Sequence, residues 1–129
     1  MRGKKIVLDL EFIPYRRKQE PYCVHEIIEI GAVALDADNE IYDEFQMYVK
    51  PQYGTVPPFV TAITGITNEM LVGQVSFSEA MQAFEAWLPQ KEPYRFYTWS
   101  GSDQHVFQAE AEWKERPLLG NFYGWWGDL

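Results

Sequence analysis

Cysteine is almost missing: Cys23 is the one thiol among 129 residues. No intrachain disulfide framework or Cys-rich zinc site can be built from it, and a reducing, cytoplasmic setting is the expectation. His25 follows closely, yet two ligands make no zinc site. No apolar run approaches the roughly 18 residues needed to cross a bilayer. The basic start Met1-Arg-Gly-Lys-Lys5 leads into a stretch broken by Asp9 and Glu11, so no secretory leader is expected. Cations are also short. Lys and Arg number 11 against 19 Asp and Glu, a net charge of −8, which excludes a protein that coats nucleic acid through its own cations. It does not exclude an enzyme that meets phosphate through bound metal, because the metal then brings the positive charge.

Hydrophobic residues make up 47% and charged residues 23%, ordinary globular usage that excludes disordered and fibrous classes. The length predicts one domain over 1–129. Aromatics reach 16%, with five Trp, enough for a bulky core or a stacking surface. Along the chain, Lys5 to Phe12 alternates as a strand, with Ile6, Leu8, Leu10 and Phe12 on one face. Tyr15 to Pro21 reads as a polar connection. Ile27 to Leu35 and Ile41 to Val49, separated by the turn residues of 36–40, predict an antiparallel hairpin. Thr61 to Gly73 predicts two short helical turns. Ser76 and Glu79 form a capping box before a helix whose apolar residues Phe77, Ala80, Met81, Phe84, Trp87 and Leu88 share a face. A short strand over Tyr94–Trp99 and a helix from Ser102/Asp103 toward Pro117 follow. This order predicts an α/β domain around a mixed sheet.

Three carboxylates stand out. Asp9 and Glu11 lie two apart on an apolar strand, so both point to one face, roughly 7 Å apart. Such a pair is costly unless a cation sits between, and a divalent metal suits oxygen ligands. An edge strand with a solvated face would tolerate the same pair; the apolar flanks favour a central strand and metal. Asp103 opens a helix after a strand end, where an Asp serves either as N-cap or as a ligand at the site.

Ile6-Val-Leu-Asp9-Leu-Glu11-Phe12 resembles the Exo I motif of the DEDD superfamily of 3′–5′ exonucleases, the group that contains the proofreading subunit and ribonuclease T. Glu26-Ile-Ile-Glu-Ile-Gly-Ala-Val33 is similar to the strand that follows it. Ala62-Ile-Thr-Gly-Ile-Thr67 resembles the family's Leu-Thr-Gly-Ile-Thr segment, and Trp99-Ser-Gly-Ser-Asp103 its Exo II region, with Ser100 and Ser102 in place of the usual glycine and aromatic. The resemblance implies a ribonuclease H-like mixed β-sheet with flanking helices. It implies a two-metal site for Mg²⁺ or Mn²⁺, with Asp9, Glu11 and Asp103 as ligands and catalytic residues. The substrate implied is a single-stranded DNA or RNA 3′ end, with Phe12, Ile63 and Thr64 against its last nucleotide. Ile63 and Ile66 fit core packing equally well.

The resemblance stops before Exo III, the His or Tyr followed by a fourth Asp. Asp128 lies too close to Asp103 to supply it. His105, half a turn past Asp103, is a candidate substitute base, though it points away from that carboxylate, and a surface histidine is the plainer reading. The basic Tyr15-Arg-Arg-Lys18 cluster could touch a phosphate backbone. The chain is therefore expected to be a shortened exonuclease domain with weak turnover, or a binding module that keeps the fold without catalysis. Leu118, Leu119, Phe122, Trp125 and Trp126 are expected to be exposed without that last third, inviting homo-oligomers.

Overall fold

The computed structural model describes residues 4–16, 23–98, 102–124 and 126–128. Five strands form one mixed sheet in the order β3-β2-β1-β4-β5: β1 (Lys4–Arg16), β2 (Cys23–Leu35), β3 (Ile41–Tyr48), β4 (Tyr94–Thr98) and the short β5 (Gly127–Asp128). β1 is central, antiparallel to β2 and parallel to β4. β2 and β3 form the antiparallel hairpin that the turn residues predict. β1 and β2 run past their predicted ends because they pair with each other there: Tyr15 sits opposite Val24, and Arg16 opposite Cys23. The polar residues Tyr15 and Arg16 are thus strand, not connection, and Arg17 and Lys18 of the basic cluster lie outside the described residues.

Alternation along β1 divides the molecule. Ile6, Leu8 and Leu10 enter a large cluster with Ile27, Ile30, Ala32 and Ala34 of β2. Two helices cover it, α3 (Phe77–Trp87) and α4 (Ser102–Trp113). The Ser76–Glu79 capping box is present, and α3 buries Phe77, Ala80, Met81 and Phe84 on its predicted face. α4 ends at Trp113, short of Pro117. Between Glu11 and Phe12 the β1–β2 register slips, so that Ile28 of β2 has no partner. This bulge lets Ile27 and Ile30 both face the large cluster, while Ile28 joins Ile13 in a second, smaller one. The small cluster is closed by Val56 and Ile66, by Val60 of α1 (Pro58–Thr64) and by Leu71 of α2 (Asn68–Leu71). α1 starts on Pro58, where a missing N–H costs nothing, and stops at Gly65 with φ +79°, a left-handed cap.

The C-terminal segment departs from expectation. Phe122 and Trp126 are buried at 0% and 7% exposure, and Leu118 at 8%. Phe96 of β4 meets both rings, tilted against Phe122 with centroids 4.8 Å apart and stacked on Trp126 at 4.6 Å. Leu119 is exposed, and Trp125 lies outside the described residues. Phe122 and Trp126 complete this chain's own core, so their expected exposure does not hold, and homo-oligomers through this segment are not supported. Among the described residues no helix is long and apolar enough to cross a membrane.

A buried polar knot ties α4 to β2. Ile27 N–H donates to Glu110 Oε1 at 2.7 Å. Lys114 Nζ pairs with Glu110 at 2.6 Å and with Glu26 at 2.8 Å. Glu26 also accepts the backbone N–H groups of Gln52, Tyr53 and Gly54. Two carboxylates thus share one ammonium. Burial pushes the Glu110 carboxyl up to about 7; the charge of Glu26 adds to the rise, against Lys114 and the Ile27 N–H.

Because this folded value lies above the unfolded one, the stability it brings is full below about pH 4.5 and is lost as pH rises through 7. Glu110→Gln resembles the protonated form. The variant should therefore gain on wild type between pH 5 and pH 8, by up to about 3 kcal/mol. Urea melts of both proteins at the two pH values measure it. A constant difference would place the proton elsewhere.

Candidate active site

With Leu8 and Leu10 turned into the large cluster, Asp9 and Glu11 emerge from the other face of β1. Asp9 is exposed and Glu11 half-buried. Across the ladder Asp9 faces Gly31 and Glu11 faces Glu29. The glycine presents no side chain beside Asp9, and an open depression of about 420 Å³ lies there, with Val7 and Val33 in its lining. Glu29 carries no role in the sequence reading, although it stands inside a quoted motif. Its place depends on the β1–β2 register, which the bulge sets. Its Oε2 accepts from Gln46 Nε2 at 2.8 Å.

Asp103 arrives from α4. The N–H of Lys4 donates to Pro93 O at 3.0 Å, so the even-numbered N–H groups of β1 face β4. The β1–β4 pairing ends at Leu8 and Thr98. Leu10 has the next such N–H, and as a donor it lowers the pKa of the Asp103 carboxyl. Asp103 is 5% exposed and lies inside the first turn of α4; its carboxylate is turned to β1 in place of the predicted N-cap role. Trp99, Ser100 and Gly101 of the Exo II segment lie outside the described residues.

The carboxylates oppose one another. Burial, and then the charge of Asp9, push the Asp103 carboxyl up to about 6, against the Leu10 hydrogen bond. Glu11 is also raised, by burial first and then by Asp9, Glu29 and Asp103. No ion pair among the described residues includes any of the three predicted ligands. An all-oxygen, anionic donor set without its own cation fits a hard divalent ion such as Mg²⁺ or Mn²⁺. Among the described residues no three Asp, Glu, His or Cys side chains already converge as a closed cage. The charge of Asp9 acts on both Glu11 and Asp103 without the three forming such a group.

The other predicted site residues divide. Ile63 is 80% exposed and Ile66 2%, so only Ile66 is core. Thr64 is half-buried, its Oγ1 donating to Val60 O at 2.9 Å and accepting the Ile66 N–H at 3.1 Å. Phe12 packs against the large cluster with its ring edge-on to His25, centroids 5.2 Å apart; it does not share the face of the carboxylates. His105 is exposed. Burial, and then His105, lower the pKa of His25, whereas His105 is not among the groups that shift Asp103 or Glu11.

Comparison with known proteins places this geometry. The chain is 35% identical over 82 residues to human 3′-5′ exoribonuclease 1, covering 62% of this chain and 24% of that protein. To the DNA polymerase III subunit epsilon of Pasteurella multocida it is 37% identical over 81 residues, covering 63% and 32%. The chain thus spans about a quarter to a third of these relatives' length. Two solved structures share the fold. The nuclease domain of 3′hExo, a DEDDh family member bound to rAMP, superposes with TM-score 0.76 at 23% identity, over 92% of this chain and 63% of that one. Cell-death related nuclease 4 gives 0.78 at 22% identity, over 93% and 43%. The family model described as RNase_T exonuclease matches residues 6–113. That match spans both β1 and α4, the two elements that carry the carboxylates, and the chain belongs to this exonuclease family.

Proposed function

We propose that this chain is a metal-dependent 3′–5′ exonuclease domain that hydrolyses phosphodiester bonds at the 3′ end of single-stranded DNA or RNA. One observation carries the reading: Asp103 meets Asp9 and Glu11 at the middle of β1, the Glu11 and Asp103 carboxyls are raised, and no protein cation pairs with the three among the described residues. Such a cluster is poised to take up positive charge. Asp9 and Glu11 from β1 and Asp103 from α4 would hold the ions. Bound ions of this kind activate water as the nucleophile and stabilise the leaving 3′ oxygen. The chain's own part is to fix the donors. The Leu10 N–H aims Asp103, and Gly31 leaves space over Asp9. Ile63, the most exposed of the predicted contacts, would wall the terminal nucleotide beside Thr64. Phe12, turned toward the large cluster, has the lesser part. The relatives' names include both an exoribonuclease and a DNA polymerase subunit, so both sugars stay in the substrate class. A cytoplasmic setting agrees with the lone Cys23.

A second reading is a binding module with little or no turnover. It is favoured by the donors, which form no closed cage among the described residues, and by His105, which does not influence the carboxylates. Without a base, the loss is about 10²–10⁴-fold.

A 5′-labelled single strand separates the two. Slow shortening from the 3′ end is expected with Mn²⁺, and none with EDTA or in Asp9→Asn. Binding without shortening would select the second reading, and cutting in EDTA would sink the first. Metal should also stabilise the fold, by about 2.7 kcal/mol at a hundredfold excess over Kd. Calorimetric titration of Mn²⁺ should give heats for wild type that Asp9→Asn loses. In chelator, the raised Asp103 carboxyl makes its stabilising contribution below its unfolded value of 3.8 and loses it as pH passes about 6. Asp103→Asn, which keeps an acceptor for Leu10, should therefore raise the melting temperature more at pH 7.5 than at pH 4.5. Equal shifts would mean that the Asp103 carboxyl is not raised in the fold.

A further inference from the structure

Nine large hydrophobic side chains are exposed among the described residues, and five of them, Tyr53, Phe59, Ile63, Met70 and Val72, fall between positions 53 and 72. That segment builds the layer over Ile13 and Ile28. Ile13 lies two residues past Glu11 on the same face of β1, about 7 Å along the strand. The exposed apolar surface therefore begins beside the carboxylates.

α1 concentrates it. Val60, 5% exposed, holds the helix to the small cluster. Phe59 and Ile63, 59% and 80% exposed, are four apart and so share the outward side. A solvated helix carries polar residues there. The helix has no charged residue, and Glu69 alone is charged between 53 and 72. Such a surface cannot grip phosphates. It can meet the faces of bases, since aromatic stacking needs no cation and tolerates any sequence. The side is also rigid: Pro57 and Pro58 start the helix, Gly65 ends it, and Thr61 Oγ1 donates to Ile66 O at 2.7 Å. Little ordering cost is left for binding.

We propose that Phe59 stacks on the base next to the terminal one, extending the 3′-end site by one nucleotide along α1. The inference rests on the functional reading above, in which Ile63 contacts the last nucleotide. Phe59 lies about 6 Å along the helix from Ile63, four residues at 1.5 Å each, beyond reach of the terminal base and level with its neighbour. The substrate it selects is unpaired and at least two nucleotides long.

The test uses the full chain in Ca²⁺, with a 5′-fluorescein (dT)₄ read by anisotropy and thymidine 5′-monophosphate as competitor. Phe59→Ala should weaken (dT)₄ binding about tenfold, Phe59→Trp should restore it, and competition by the mononucleotide should not change. A tetramer abasic at the second position from the 3′ end should bind wild type and Phe59→Ala alike. Unaltered (dT)₄ binding in Phe59→Ala overturns the proposal, as does an equal loss of the mononucleotide. A penalty that persists on the abasic strand also overturns it and reassigns the strip to a protein partner. If Ile63→Ala and Asp9→Asn weaken binding while Phe59→Ala does not, the proposal fails alone. If wild type binds no probe, the functional reading fails and takes the proposal with it.

Discussion

Two backbone N–H groups hold α4 to the sheet, and the site depends on both. Asp103 takes the N–H of Leu10, and Glu110 takes that of Ile27. The two acids are seven residues apart, two helical turns, so they lie on one side of α4 about 10 Å from each other. Val106 and Phe107 are buried between them. A carboxylate bonded to fixed backbone at each end leaves the helix little freedom to slide or roll. Asp9 and Leu10 are adjacent in β1. Asp103 is therefore brought toward Asp9 by a helix anchored to the sheet through Glu110 and the Ile27 N–H, with the Leu10 N–H acting on Asp103 itself.

The molecule holds two acid clusters, and their difference separates structure from function. Glu26 and Glu110 share Lys114 and accept backbone N–H groups from β2 and the loop at 52–54. Their negative charge is answered in part inside the fold, by one ammonium and by backbone N–H donors, with Glu110 still raised to about 7. Asp9, Glu11 and Asp103, with Glu29 beside them, have no such answer among the described residues. Keeping them crowded costs stability and is unexplained by packing. Among the described residues no side chain supplies that countercharge, and the metal ions of the proposed function would.

Local patterns were legible in the sequence; long-range pairings were not. The alternation of β1, the β2–β3 hairpin, the capping box of α3 and the Asp9–Glu11 pair each depend on residues close in the chain, and each is found in place. Glu29 was overlooked because its position across from Glu11 depends on a bulge that no local signal marks. Local pattern left Asp103 open between helix cap and ligand, because its approach to β1 involves a strand over 90 positions away. The aromatic tail was misjudged for a related reason: Phe96 sits about 26 and 30 positions before Phe122 and Trp126, and only the fold brings the rings together. Ile63 and Ile66 were inseparable by composition. The left-handed turn at Gly65 between them sends one outward and the other in.

The two apolar clusters are very unequal. Twenty buried residues make the large one and six the small one, and local stability scales with such buried contact. α1 and α2, of seven and four residues, are too short to persist on their own, so their order is borrowed from Ile13 and Ile28. The wall beside the carboxylates thus rests on the small cluster and the scaffold that positions the acids on the large one, so the two draw on separate packing.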